Sequence, residues 1–206
     1  MATRIKICGI TRPEDGLAAA RAGADAIGLV FESSSPRFVG AEQALSVVRA
    51  LPPFIKIVGL FVNAPVEQVR ELMGRVPLDL LQFHGDEPAD FCRIFLRPYL
   101  KAIPMREGID VHSAVRDYPD AAAILLDTHH AQVAGGSGER FDWSRIPADL
   151  GKPLVLAGGL TPDNVGTAVR QVHPYAVDVS TGVEQSRGIK DARRIAAFVE
   201  AVRKSD

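Results

Sequence analysis

Cysteine is scarce in this chain of 206 residues: there are two, Cys8 and Cys92, beside five histidines. Two thiols make no disulfide framework, and neither shows zinc-ligand spacing with the histidines, so a reducing compartment is the simplest setting. Net charge is equally scarce, at −1. That balance argues against broad binding to nucleic acid or an anionic membrane and leaves any anionic ligand to be held by local groups. No apolar run reaches the length of a membrane span, and the first residues lack the apolar core of a signal peptide, which sets the expectation of a cytoplasmic protein. Linkers and low-complexity stretches are missing too, so one domain over residues 1–206 is expected.

What the chain does have is a regular alternation. Short apolar runs occupy residues 4–8, 26–31, 55–61, 78–83, 99–104, 122–127, 153–157 and 176–179. Runs of this length suit strands buried on both faces, as in a parallel sheet. Between them the spacing turns helical. Ala44, Val47, Val48 and Leu51 form one stripe, Val165, Ala168, Val169 and Val172 another, and Ile195, Phe198, Val199 and Val202 a third. Weaker stripes are Val66, Val69 and Leu72, then Phe91, Ile94 and Phe95, then Val111, Ala114, Val115 and Tyr118. Thr11-Arg12-Pro13-Glu14 fits a capping box, and Thr161-Pro162 fits a cap and first turn. After the sixth strand the chain is glycine-rich (residues 134–138) and leaves only a short segment near 143–148. Eight strands alternating with helices predict an α/β single-domain (β/α)8 TIM barrel, with an open doubly wound sheet as the alternative.

In such a barrel the polar residues at the C-terminal strand ends converge on one mouth. Cys8 ends the first strand, Gln82 and His84 flank the end of the fourth, Asp127 ends the sixth and Asp178 lies in the eighth. A lone cysteine in an apolar strand is ordinarily a small buried hydrophobe. A base would need a positive neighbour, and Lys6 stands two residues back on the same strand face. Asp127 after a wholly apolar strand caps a loop or acts as an acid. A thiol and a carboxyl across one mouth would make an acid–base pair. Gly158-Gly159-Leu160 after the seventh strand and Ser180-Thr181-Gly182 after the eighth could cradle a phosphate, or merely turn the chain. Arg37 in the loop after the second strand is either a solvated charge or a bidentate carboxylate clamp. His129-His130 does not read as a metal site, because adjacent histidines cannot readily face one ion together. Cys92, His112 and His173 read as packing or surface residues.

Lys6-Ile7-Cys8-Gly9-Ile10-Thr11, Gly28-Leu29-Val30-Phe31, Ser35-Pro36-Arg37 and Val58-Gly59-Leu60-Phe61-Val62-Asn63 resemble the phosphoribosylanthranilate isomerase family. So do Leu81-Gln82-Phe83-His84-Gly85, Leu126-Asp127, Gly135-Gly136-Ser137-Gly138, Phe141-Asp142-Trp143, Leu156-Ala157-Gly158-Gly159-Leu160 and the run from Val177 to Glu184, all in family order. Two positions depart from the pattern, Ser137 and Thr181, and both keep a hydroxyl. The resemblance implies the third step of tryptophan biosynthesis, an Amadori rearrangement of N-(5-phosphoribosyl)anthranilate. It assigns Cys8 as general base, Asp127 as general acid and Arg37 to the anthranilate carboxylate. Substrate binding is expected at His84, Gly158, Gly159, Leu160, Asp178, Ser180, Thr181 and Gly182. No metal and no organic cofactor is expected, since an iminium formed on the substrate is the electron sink. The implied partner is a small phosphosugar–anthranilate molecule, not nucleic acid or membrane, and the chain would act as a monomer or homodimer. Related aminoaldose isomerase barrels, a dual-substrate enzyme among them, are the competing class, with a non-catalytic phosphate-binding barrel behind them. A lid at residues 135–138 is also expected.

Overall fold

The computed structural model describes residues 2–128 and 142–206. Its strands are β1 (Arg4–Cys8), β2 (Ala26–Val30), β3 (Lys56–Phe61), β4 (Leu80–Phe83), β5 (Tyr99–Met105), β6 (Ala123–Thr128), β7 (Leu154–Leu156) and β8 (Ala176–Val179). All eight pair in parallel, in sequence order, and β1 returns to β8 with Ile7 opposite Val179. The sheet is therefore a closed barrel, which excludes the open doubly wound alternative. Each strand lies within two residues of its apolar run.

The outer layer consists of α1 (Pro13–Ala22), α2 (Ala41–Ala50), α3 (Val66–Arg75), α4 (Ala89–Arg93), α5 (Val111–Arg116), α6 (Val165–Val172) and α7 (Ala192–Arg203). In the place of a helix between β6 and β7 the described residues hold a 3-10 turn at Trp143–Arg145. A short antiparallel hairpin, β9 (Glu184–Ser186) and β10 (Ile189–Lys190), lies between β8 and α7.

Both faces of each strand are buried, which is why the strands read as unbroken apolar runs. Ile5, Ile7, Ile27, Leu29, Leu81, Phe83, Ile124 and Leu126 pack under the helices. The opposite parity, with Val58, Leu100, Ala102, Leu125, Val155 and Ala157, fills a smaller inner core. Paired registers carry this parity right round the barrel, so Cys8, Gln82, Asp127 and Asp178 all face inward near the C-terminal strand ends.

Three local expectations are corrected. Thr11 is not the cap of α1. Pro13 takes the first helical position, Arg12 precedes it, and the Thr11 hydroxyl donates to the Gly188 carbonyl at 2.5 Å. The α6 helix starts later than Thr161-Pro162 suggests, because Asn164 accepts from Thr161 N and donates to Gly159 O, holding residues 159–164 as a turn. Ile94 is exposed, since α4 ends at Arg93.

One buried polar node braces the loops that follow β3 and β4, against the outward side of β5. Lys101 Nζ donates to Glu87 at 2.9 Å, and the same carboxylate accepts from Asn63 N and Gly85 N. Removing one member of a buried pair strands the other's charge. Glu87→Ala is expected to destabilise the fold by about 3–5 kcal/mol, measured as a lower denaturant midpoint at unchanged slope.

Candidate active site

The mouth is built around the end of β1. Gly9 follows Cys8 with φ of 74°, and a side chain there would meet Arg37 Cδ at 2.4 Å, so the turn requires glycine. Its N–H and that of Ile10 both donate to Gly28 O, which fixes the exit from the strand. Across the ladder, Gly28 stands opposite Cys8 and leaves room for the sulfur and the Lys6 stem.

Lys6 does lie beside Cys8, but its charge is not free. Nζ donates to Asp178 at 2.8 Å from the facing position of β8, and both side chains are buried. Burial lifts the Cys8 thiol above its ordinary value and Asp178 adds to this, while Lys6 and Lys190 pull the other way without prevailing. The second Asp178 oxygen, Oδ1, is buried without a partner among the described residues.

Asp127 sits near the end of β6, with His84 Nε2 at 3.3 Å from Oδ2. Gln82, fully buried on β4, places its amide nitrogen 3.0 Å from His84 Nδ1 and leaves Oε1 without a partner. Gln82, His84 and Asp127 thus form one line of side chains across the mouth.

Arg37 is not a solvated charge. Nε and Nη2 grip Glu184 at 2.7 and 2.9 Å, and Nη2 also donates to the Thr181 hydroxyl at 3.0 Å. The bidentate edge expected for a ligand carboxylate is therefore taken by Glu184. Nη1 has no partner among the described residues.

The loops after β7 and β8 come together. Gly158 and Gly159 adopt φ of 84° and 64°. A side chain on Gly182 would lie 2.0 Å from the Leu160 carbonyl. Leu160 is buried beneath this contact. Ser180 and the 3-10 turn Thr181–Val183 continue into β9.

Sequence reasoning missed Lys190 and gave Glu184 no role. The hairpin that carries them is polar from Glu184 to Arg187, with no alternating apolar signal. Cys92 and His173 occupy structural places as expected: Cys92 is in the core with its thiol pushed up to about 12 by burial, and His173 ends α6 in the left-handed region. His129, His130 and the glycine-rich residues 135–138 lie outside the described residues. Among the described residues no group of three or more His, Cys, Asp or Glu side chains is placed to hold a metal ion. Nor is any described helix long and apolar enough to cross a membrane.

The family profile of N-(5'phosphoribosyl)anthranilate (PRA) isomerase matches residues 5–201. An N-(5'-phosphoribosyl)anthranilate isomerase of Pseudomonas aeruginosa is 66% identical over 202 residues, covering 98% of this chain and 96% of the relative. A crystal structure of phosphoribosyl anthranilate isomerase from Thermotoga maritima superimposes with a TM-score of 0.90 at 40% identity, covering 98% of this chain and 99% of that one. Another, in complex with reduced 1-(o-carboxyphenylamino)-1-deoxyribulose 5-phosphate, gives 0.87 at 39% identity with the same coverage.

Proposed function

The chain belongs to the N-(5'-phosphoribosyl)anthranilate isomerase family, and from that premise we propose how its barrel mouth isomerises the substrate. The observation that carries the reading is the placement of a thiol and a carboxyl, Cys8 and Asp127, on the inward parity near the ends of β1 and β6. The loops after β7 and β8 close the same mouth.

Asp127 gives its proton to the furanose ring oxygen as the bond from that oxygen to C1 breaks. The anthranilate nitrogen supplies the electron pair and becomes an iminium. Cys8, as thiolate, removes the proton from C2, and the electrons of that C–H bond form C1=C2 while the iminium is neutralised. Protonation at C1 and loss of the C2 hydroxyl proton give the ketone, 1-(2-carboxyphenylamino)-1-deoxyribulose 5-phosphate. The substrate's own nitrogen is the electron sink, so the sequence of bonds balances with protein groups alone.

His84 and Gln82 keep Asp127 in place. If the Gln82 amide turns its oxygen to His84 Nδ1–H, Nε2 becomes an acceptor and faces a protonated Asp127. Asp178 Oδ1 accepts a sugar hydroxyl and so gains the partner it lacks. The backbone of residues 158–160 and 180–182 holds the phosphate. Arg37 offers Nη1 to the anthranilate carboxylate, a one-pronged contact since its fork is occupied. Arg37→Met is then expected to raise KM by about 10- to 100-fold, the worth of one hydrogen bond between charged groups, with a smaller change in kcat. Steady-state rates at varied substrate check it. The thiol must remain reduced for this chemistry, which fits a reducing compartment such as the cytoplasm; both cysteines are free.

The reading is tested with freshly made phosphoribosylanthranilate, following loss of its anthranilate fluorescence in a coupled assay. Folded protein that gives no acceleration overturns it.

A further inference from the structure

A thiolate at Cys8 has to form in a pocket where burial and Asp178 oppose it, and the adjacent cation does not settle the matter. Lys6 and Asp178 are both buried and paired at 2.8 Å, so the pull of Lys6 toward the thiolate is partly offset by Asp178. The second charged cluster is different. Arg37, Glu184 and Lys190 are all buried, and they comprise two cations and one carboxylate. Asp15 accepts from the Lys190 backbone N–H, but its charge is matched by Arg12 at 2.6 Å. One positive charge in this cluster is therefore unmatched among the described residues.

That charge sits on a side chain with no solvent exposure. Lys190 Nζ donates to Glu184 Oε1 at 2.8 Å, to Ser180 O at 3.1 Å and to Ser180 Oγ at 3.3 Å. Three acceptors for one nitrogen suit an ammonium group with its three donors, and Glu184 holds the charge against burial, which pulls this lysine below its ordinary value. The cluster reaches Cys8 through its neighbour: Ser180 Oγ and the Arg37 stem both pack against Gly9, immediately after Cys8. A buried cation in low dielectric favours an anion near it far more than an exposed one does.

We propose that Lys190 is a positioning residue for the isomerisation: its buried ammonium, held by Glu184 and Ser180, adds to Lys6 a second positive charge that favours the Cys8 thiolate. The inference rests on the reading of Cys8 as the base. The charged groups that act on that thiol are Lys6 on β1, Asp178 on β8 and Lys190 on β10, with Arg37 and Lys190 both joined to Glu184. Gly28 of β2 brings no charge.

The test is the titration of Cys8 in the free enzyme, read from thiolate ultraviolet absorbance with Cys8→Ala as the blank. Lys190→Met is expected to move the thiol midpoint up by about one pH unit and to lower kcat/KM about tenfold on the acid side of it, with KM nearly unchanged. Lys190→Arg retains the charge and is expected to restore the wild-type midpoint. Glu184→Gln removes the carboxylate and is expected to move the midpoint down. If Lys190→Met fails to fold, the opposite shift in Glu184→Gln and the rescue by arginine still decide the matter. An unmoved midpoint in Glu184→Gln overturns the proposal, as does a shift in Lys190→Arg as large as that in Lys190→Met. A raised KM with an unmoved thiol overturns it as well, and would assign the charge to the substrate phosphate. Wild-type protein that titrates as described but turns over no phosphoribosylanthranilate would sink the catalytic reading and leave the electrostatic one standing.

Discussion

Replacing Cys8 by Ala, or Asp127 by Asn, lowers kcat by about 10²-fold or more and leaves KM within a few-fold of its original value. Each side chain is a proton carrier in the proposed chemistry, and neither belongs to the loops or to the arginine that hold the substrate's anionic ends. Asn keeps the shape of Asp127 and can still meet His84, so the loss is of the transferable proton and not of the fold. Cys8→Ala removes a sulfur seated over Gly28 and leaves the Lys6–Asp178 pair intact. Initial rates across substrate concentration separate the two parameters, and near-native turnover in either variant removes that residue from the mechanism. The wild-type pH profile carries the same logic. A base works deprotonated, so kcat/KM climbs as pH rises through the thiol's midpoint. Because burial, with Asp178, holds that thiol up, the climb lies on the alkaline side of an ordinary cysteine's.

The strands were legible because a barrel strand is buried on both faces, and eight such runs leave few architectures open. Closure was not legible: it depends on Arg4 pairing with Ala176, a contact across most of the chain. Local signals failed where a distant group competed for the same atoms. Thr11 carries a good cap's hydroxyl, yet the Gly188 carbonyl takes it. Asn164, with no strong signal of its own, holds the turn before α6 through two hydrogen bonds. At the site, Cys8 and Asp127 could be picked out because each ends an apolar run, so its chemistry stands against a plain background. Lys190 could not. A lysine in a polar stretch before a helix reads as solvated, and its partners Glu184, Ser180 and, at the far end of the chain, Asp15 come together only in the folded barrel. The same holds for Arg37, whose occupied fork follows from Glu184 and not from anything near Pro36.

Gly182→Ala is expected to cut kcat/KM by about 10²-fold, carried mainly by KM, while the barrel stays folded. The added methyl would lie 2.0 Å from the Leu160 carbonyl and 3.1 Å from Thr161 Cα, both backbone atoms that no side-chain rotation can move aside. One loop must therefore retreat from the other. Asn164 holds the first loop at Gly159 and Thr161, so the 3-10 turn Thr181–Val183 is the side that yields. Its displacement withdraws N–H groups from an anion, and a hydrogen bond to a charged group is worth about 1.5–3 kcal/mol, roughly 10- to 100-fold in affinity. The turn also bears Thr181, which receives Arg37 Nη2, so the carboxylate end of the site loosens with the phosphate end. Gly74→Ala is the control: nothing lies within 4 Å of a side chain there, and alanine suits a helix. Inhibition by inorganic phosphate should weaken in step with KM in Gly182→Ala and stay unchanged in Gly74→Ala. Equal phosphate inhibition in both would place the phosphate elsewhere in the mouth and remove the paired loops from the binding model.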